Sequence, residues 1–251
     1  MLRSALVALR FSIPRGLVCR GGALLCALGL VACGPQPQGA TPMPEPPSID
    51  GSLIGPSLAP GPISVLSDPQ PVRLAGRAGA ATPLAQVQAL NLDGAQPPVS
   101  VAAGADGSFQ LTVLASSGDE LRFQVRQGGE RSAPVDFIYS YDSGDVLTAS
   151  PRHACVALLP GFELELATAR ASVRFQNDCA APIQLAAPRF RAGADFALLT
   201  PLPQVVAAGE SLAVELELRN PPPPPREDVW FVDVTLGSTL LRYPIGVFAD
   251  E

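Results

Sequence analysis

The sequence predicts an all-β protein in which two tandem β-sandwiches follow a signal peptide and a disordered, proline-rich linker. Apolar residues recur at period two in one segment after another, as in Phe109, Leu111 and Val113 or Leu121, Phe123 and Val125. Gly, Pro, Asp and Ser turns separate these segments at intervals near ten residues, the pattern of short antiparallel strands in a sandwich. No stretch beyond the leader pairs a helix cap with a 3.6-residue period. The expected boundaries are 1–32 for the signal, 33–62 for the tether, and 63–146 and 147–251 for the sandwiches.

The leader comes first. Arg3, Arg10, Arg15 and Arg20 precede a short apolar run from Gly21 to Val31, and no acid occurs before Cys33. This run is too short to cross a bilayer and reads as the basic and apolar regions of a secretory signal. It ends in Leu30-Val31-Ala32-Cys33, which resembles the lipobox of bacterial lipoprotein signals. The resemblance implies cleavage before Cys33, a diacylglycerol on its thiol, and acylation of the new amino terminus. Two or three acyl chains make a lasting anchor where one does not. Gly34 stands where an aspartate would signal retention in the inner membrane, so the resemblance implies an outer-membrane anchor, with the domains facing the periplasm or the cell surface. The alternative is a plain signal peptide with an incidental cysteine.

This leader simplifies the cysteines. Cys19 and Cys26 leave with it and Cys33 carries lipid, which leaves Cys155 and Cys179. In an oxidising compartment these two are expected to pair, a cross-link worth about 3 kcal/mol. Loss of the leader also removes four of the 17 basic residues, so 13 set against 23 acids gives a mature net charge near −10. The chain has no lysine. That balance argues against nucleic acid and anionic surfaces as partners, and the missing lysine excludes Schiff-base chemistry and the lysine of phosphate-binding loops.

From Gly34 to Pro62 prolines recur every few residues, and there are almost no large apolar side chains except Ile49, Leu53, Ile54 and Leu58. Such composition predicts an extended tether without a core, a spacer first and a docking segment for a proline-recognising partner second.

In the first sandwich, Ala105-Asp106-Gly107-Ser108-Phe109, Gly118-Asp119 and Gly129-Glu130-Arg131-Ser132 lie between alternating segments that include Val135, Phe137 and Tyr139. The segment from Val72 to Tyr139 resembles the bacterial immunoglobulin-like modules found in tandem on exported proteins. In the second, Val173, Phe175 and Asn177, then Ala194-Asp195-Phe196, then Ala208-Gly209-Glu210-Ser211 and the alternation Leu212, Val214, Leu216, Leu218, are similar to the abnormal-spindle or hydin-like immunoglobulin-type domains. Asp178-Cys179 departs from that family after the asparagine, where the disulfide to Cys155 would tie the turn to the first strand. These motifs are turn chemistry and imply fold, not function.

Chemistry is sparse. His153 is the only histidine and shares a strand face with Cys155, yet the expected disulfide consumes the thiol that a nucleophile would need. One histidine and two cysteines lack a fourth zinc ligand. Asp142 and Asp145, in a loop between the sandwiches, could contribute to a calcium site, with solvated linker acids as the plainer reading. Pro221 to Pro225 predict a stiff loop. Trp230, the only tryptophan, is expected in a core, the alternative being a sugar-stacking platform. Buried Trp230, Tyr139 and Tyr141 would favour a protein scaffold, and exposed ones a sugar site. No catalytic residue, metal site or cofactor is predicted. The expected function is non-catalytic binding or structural display by a lipid-anchored envelope protein, with another envelope protein or a polysaccharide as partner. The alternative is an accessory module that binds polysaccharide or calcium for a larger envelope machine.

Overall fold

Strand-forming residues at period two, punctuated by glycines that adopt left-handed backbone without steric cost, dictate short strands and tight turns. In the computed structural model, residues 46–57, 68–141, 146–193, 195–219 and 226–249 are described. Gly107, Gly118 and Gly129, each in one of the turn motifs, have φ of 79°, 95° and 92°.

The first half contains β1 (Ile54–Pro56), β2 (Gln70–Gly76), β3 (Gln86–Asn91), β4 (Val99–Ala102), β5 (Phe109–Ala115), β6 (Glu120–Gln127), β7 (Glu130–Arg131), β8 (Val135–Ser140) and β9 (Val146–Ala149). The second contains β10 (Val156–Leu159), β11 (Glu163–Glu165), β12 (Arg170–Asn177), β13 (Ile183–Phe190), β14 (Phe196–Leu198), β15 (Gln204–Val206), β16 (Ser211–Leu218), β17 (Arg226–Leu236) and β18 (Thr239–Ala249). A 3-10 turn, Gly51–Leu53, is the sole helical element among the described residues.

Four sheets result. In the first half a three-stranded sheet, β1-β2-β5, faces a six-stranded one, β4-β3-β6-β8-β9 with β7 on β6, across a core that includes Leu74, Leu111, Leu121, Phe123 and Phe137. In the second, β10-β12-β16-β14 faces β11-β18-β17-β13-β15 across Val173, Phe175, Val214, Leu216, Trp230 and Ile245. All pairings are antiparallel except β11 with β18. The all-β class and the alternating strands are as expected. The two sandwiches, however, belong to one compact unit that runs from Pro44 to Glu251. The outer faces of the two largest sheets meet, and Leu90 and Leu92 pack on Val229 and Phe231 between them.

A buried asparagine closes a strand end in each half. The Asn91 Nδ2 group donates to Leu114 O and Asp119 Oδ2, while its Oδ1 accepts from the Asp93 and Gly94 N–H groups. The Asn177 Nδ2 group likewise donates to Ala181 O, Val206 O and Ala207 O, and its Oδ1 accepts from Cys179 N.

Two expected boundaries are corrected. Residues 46–57 are part of the first sandwich and not of a free tether: Ile54 is buried, β1 pairs with β2, and Ile49 bridges Ala81. Prolines tolerate this position because β1 is an edge strand whose outer side needs no donors. The cut at 146/147 falls inside β9, which pairs with β8, so the first sandwich runs through Ala149. Cys33, the signal, Asp142, Asp145, Ala194 and Pro221 to Pro225 lie outside the described residues.

Candidate functional site

Strand β6 reads Glu-Leu-Arg-Phe-Gln-Val-Arg-Gln and is buried for six consecutive residues. Its odd residues, Leu121, Phe123 and Val125, fill the first core. Its even residues turn their polar side chains onto the second sandwich, because period two sends them to the opposite face. Glu120, Arg122 and Gln124 are therefore buried without belonging to a core.

Arg122 is the centre of this seam. Its Nε donates to Asp136 Oδ1 at 2.8 Å and its Nη2 to Asp136 Oδ2 at 2.9 Å. Nη2 also reaches Pro244 O at 2.6 Å, and Nη1 lies 3.4 Å from Glu163 Oε1. The Glu120 carboxylate, 2% exposed, receives Arg152 Nη2 at 2.6 Å and Arg242 Nη2 at 2.6 Å. Arg242 continues to Asp93, and Arg152 returns to Asp136 at 3.1 Å. Towards the far end, Arg126 and Arg131 both grip Glu227, and Arg131 lies 3.8 Å over the Phe248 ring. Arg191 donates to the carbonyls of Asn91, Gly94 and Gln96.

Burial alone would lower the pKa of Arg122, but the Asp136, Glu163 and Glu120 carboxylates more than offset it and the guanidinium is held above its ordinary value. Burial pushes the Glu163 carboxyl up, with Arg122 opposing only in part. Burial also works against ionised Asp93 and Glu227, yet hydrogen bonds from Arg242 and the Glu120 N–H to Asp93, and from Arg126 and Arg131 to Glu227, leave both below the usual carboxylate range. The signs give a pH dependence. Asp93 and Glu227, with lowered folded pKa values, contribute stability that is present above the unfolded values near pH 4 and is lost as pH falls through the folded ones. Glu163, with a raised value, contributes in the opposite sense, its share being lost as pH rises. Urea midpoints are therefore expected to fall between about pH 5 and pH 3, and Asp93→Asn and Glu227→Gln each to flatten that fall. Glu163→Gln is expected to leave the acid limb in place and to be neutral or stabilising at pH 7. A midpoint that held steady down to pH 3 would contradict the assignment.

Beside the ion pairs the seam leaves a cleft of about 310 Å³, with Leu90, Val229 and Phe248 on its apolar walls and Arg122, Gln124 and Glu163 among its polar ones. Gly246 belongs to it, and a Cβ there would collide with the Glu163 carboxylate. Paired charges and a small volume suit a joint between two bodies.

The residues singled out from sequence fall elsewhere. Cys155 and Cys179 form a disulfide with their Cα atoms 4.9 Å apart, and Asp178 N–H also donates to Cys155 O. Among the described residues no free thiol is thus available to His153, whose Nε2 lies 3.1 Å from Val234 O and whose backbone N–H donates to Tyr243 Oη. Trp230 is fully buried and meets Phe175 edge-on at 6.1 Å between ring centres. Tyr139 is buried and Tyr141 is 43% exposed, so the three aromatics make no shared stacking surface. Among the described residues no group of three or more His, Cys, Asp or Glu side chains could hold a metal ion. The seam itself was missed in the sequence. Its one local signal is the row Glu120, Arg122, Gln124 inside a strong strand, which reads as a solvated face unless a partner sheet is known.

No protein-family model matches the chain, and no curated protein matches it. Among solved structures it is similar to the CsuC–CsuE chaperone–tip adhesion subunit complex of Acinetobacter baumannii, at 18% identity and a TM-score of 0.31, over 38% of this chain and 56% of that one. It is also similar to the Vibrio cholerae VesB protease, at 12% identity and a TM-score of 0.34, over 67% of this chain and 62% of that one. A Porphyromonas gingivalis protein of unknown function is 13% identical with a TM-score of 0.28, over 72% of this chain and 90% of that one. The chain thus spans less than two thirds of the first two. Likenesses this distant carry no functional argument.

Proposed function

We propose that this chain is a lipid-anchored envelope protein, held in the outer membrane through Cys33, that acts without catalysis by presenting its joined sandwiches to another envelope protein or a polysaccharide. The observation that carries this reading is the Cys155–Cys179 disulfide. Structural disulfides belong to oxidising compartments, and the basic-apolar leader ending at Cys33 supplies the export route and the anchor. The seam supports the non-catalytic part, since its buried charges are spent on one another and join the two halves. A second reading, an accessory ligand-binding module, draws on the cleft; the buried Trp230 and Tyr139 speak against an aromatic sugar platform within it. Calcium would rest on Asp142 and Asp145 alone.

Intact mass and membrane fractionation of the wild type and Cys33→Ala, expressed in a lipoprotein-processing bacterium, test the anchor. The wild type is expected to lose 32 residues, gain acyl chains and sediment with membranes, while Cys33→Ala does none of these. Masses that differ only by the substituted side chain, with equal solubility, would make Cys33 incidental.

A further inference from the structure

Thr82, Pro83, Leu84 and Ala85 form a tight turn closed by Ala85 N–H to Thr82 O at 3.2 Å. Leu84 has a φ of 61°, in the left-handed region that glycine or asparagine occupies readily and a branched apolar residue does not. Its side chain is nevertheless 71% exposed. A single exposed leucine is ordinary, but one held in a strained backbone without burying its side chain is not explained by the fold.

The turn's position suggests a use. It is fastened to the point where the chain enters the first sandwich: Ser48 N–H donates to Thr82 Oγ1 at 2.8 Å and Thr82 N–H to Ser48 O at 3.1 Å. Ser48 follows Cys33 by 15 residues, a span that reaches roughly 50 Å at full extension. Pro83 is exposed beside Leu84, and the preceding turn exposes Ala78 and Gly79, next to half-buried Leu53, where Gly79 N–H donates to Asp106 O and Asp50 N–H to Ala80 O. The exposed charges at this end, Arg77, Asp50 and Asp106, carry both signs, so it suits zwitterionic lipid and not an anionic surface. An anchored chain meets its own bilayer at high effective concentration, so a contact too weak to bind a free protein can still hold.

We propose that Leu84 seats this end of the first sandwich on the bilayer into which Cys33 is anchored, a reading that rests on the proposed lipid anchor. The test uses the full lipidated protein in phosphatidylcholine vesicles, with a fluorophore on Ala78→Cys and quenching by spin-labelled lipid. A label on Ser238→Cys serves as the far-end control: Arg242, just beyond that hairpin, pairs with Glu120 at the start of β6, whereas β3 opens beside the Leu84 turn opposite Arg126 near the end of β6. Quenching at position 78 is expected to exceed that at 238 several-fold, and Leu84→Asn, which keeps the left-handed turn, is expected to reduce it at least twofold. Equal quenching with and without Leu84→Asn, in protein whose mass includes acyl chains, overturns the seat while leaving the anchor. A mass without acyl chains overturns the anchor, and the seat with it.

Discussion

Arg122→Ala is expected to cost about 3–5 kcal/mol, because it leaves buried carboxylates without their counter-charge. Arg122 is 5% exposed at its side chain, and its removal strips Asp136 of a bidentate partner, Glu163 of its attraction and Pro244 O of a donor. For a folded region of this size the loss corresponds to a melting temperature lower by roughly 10 °C. Arg122→Lys is expected to recover only part of it, since an ammonium cannot grip Asp136 with two parallel N–H groups and still reach Pro244. Denaturant unfolding checks both. A loss below about 1 kcal/mol would put the network in the class of surface ion pairs and remove its claim to join the sandwiches.

The second large effect lies in the second sandwich. The double replacement Cys155→Ser and Cys179→Ser opens a loop with a sequence separation of 24 and is expected to cost about 3–4 kcal/mol in the chain-entropy view. The Asp178 N–H to Cys155 O bond and the Asn177 contacts keep the turn in place in the folded protein, so the cost falls on the unfolded chain, which gains freedom. Hydrogen exchange is expected to quicken first in β10 and in the turn after Asn177. An unchanged urea midpoint on reduction would show that the cross-link adds nothing.

Much of this fold was legible in the sequence because it is written locally. The alternations at Phe109 to Val113, Leu121 to Val125 and Leu212 to Leu218 mark strands, and Gly107, Gly118 and Gly129 mark the left-handed turns between them. The disulfide was legible because the sequence reading assigns Cys19, Cys26 and Cys33 to a signal and a lipid anchor, which leaves Cys155 and Cys179. The seam was not, because its partners are remote: Glu120 meets Arg242 across 122 residues, and nothing near either predicts the other. Nor was the docking of residues 46–57, since prolines that forbid a central strand are tolerated on an edge, and Ile54 needs one slot in a core assembled later in the chain. Trp230, by contrast, lies in the apolar run Val229 to Val232, which marks a strand buried on both faces: Trp230 and Val232 enter the second core, while Val229 and Phe231 face the seam.

The two sandwiches pack as one compact unit, and Arg122, Glu120 and Arg242 hold the seam between them. Residual dipolar couplings of backbone amides in one weakly aligned sample test this packing most directly. A single alignment tensor is expected to fit the described residues of 68–149 and of 156–249 alike. Two tensors of different orientation or magnitude would contradict it, for they would mean that the sandwiches reorient independently.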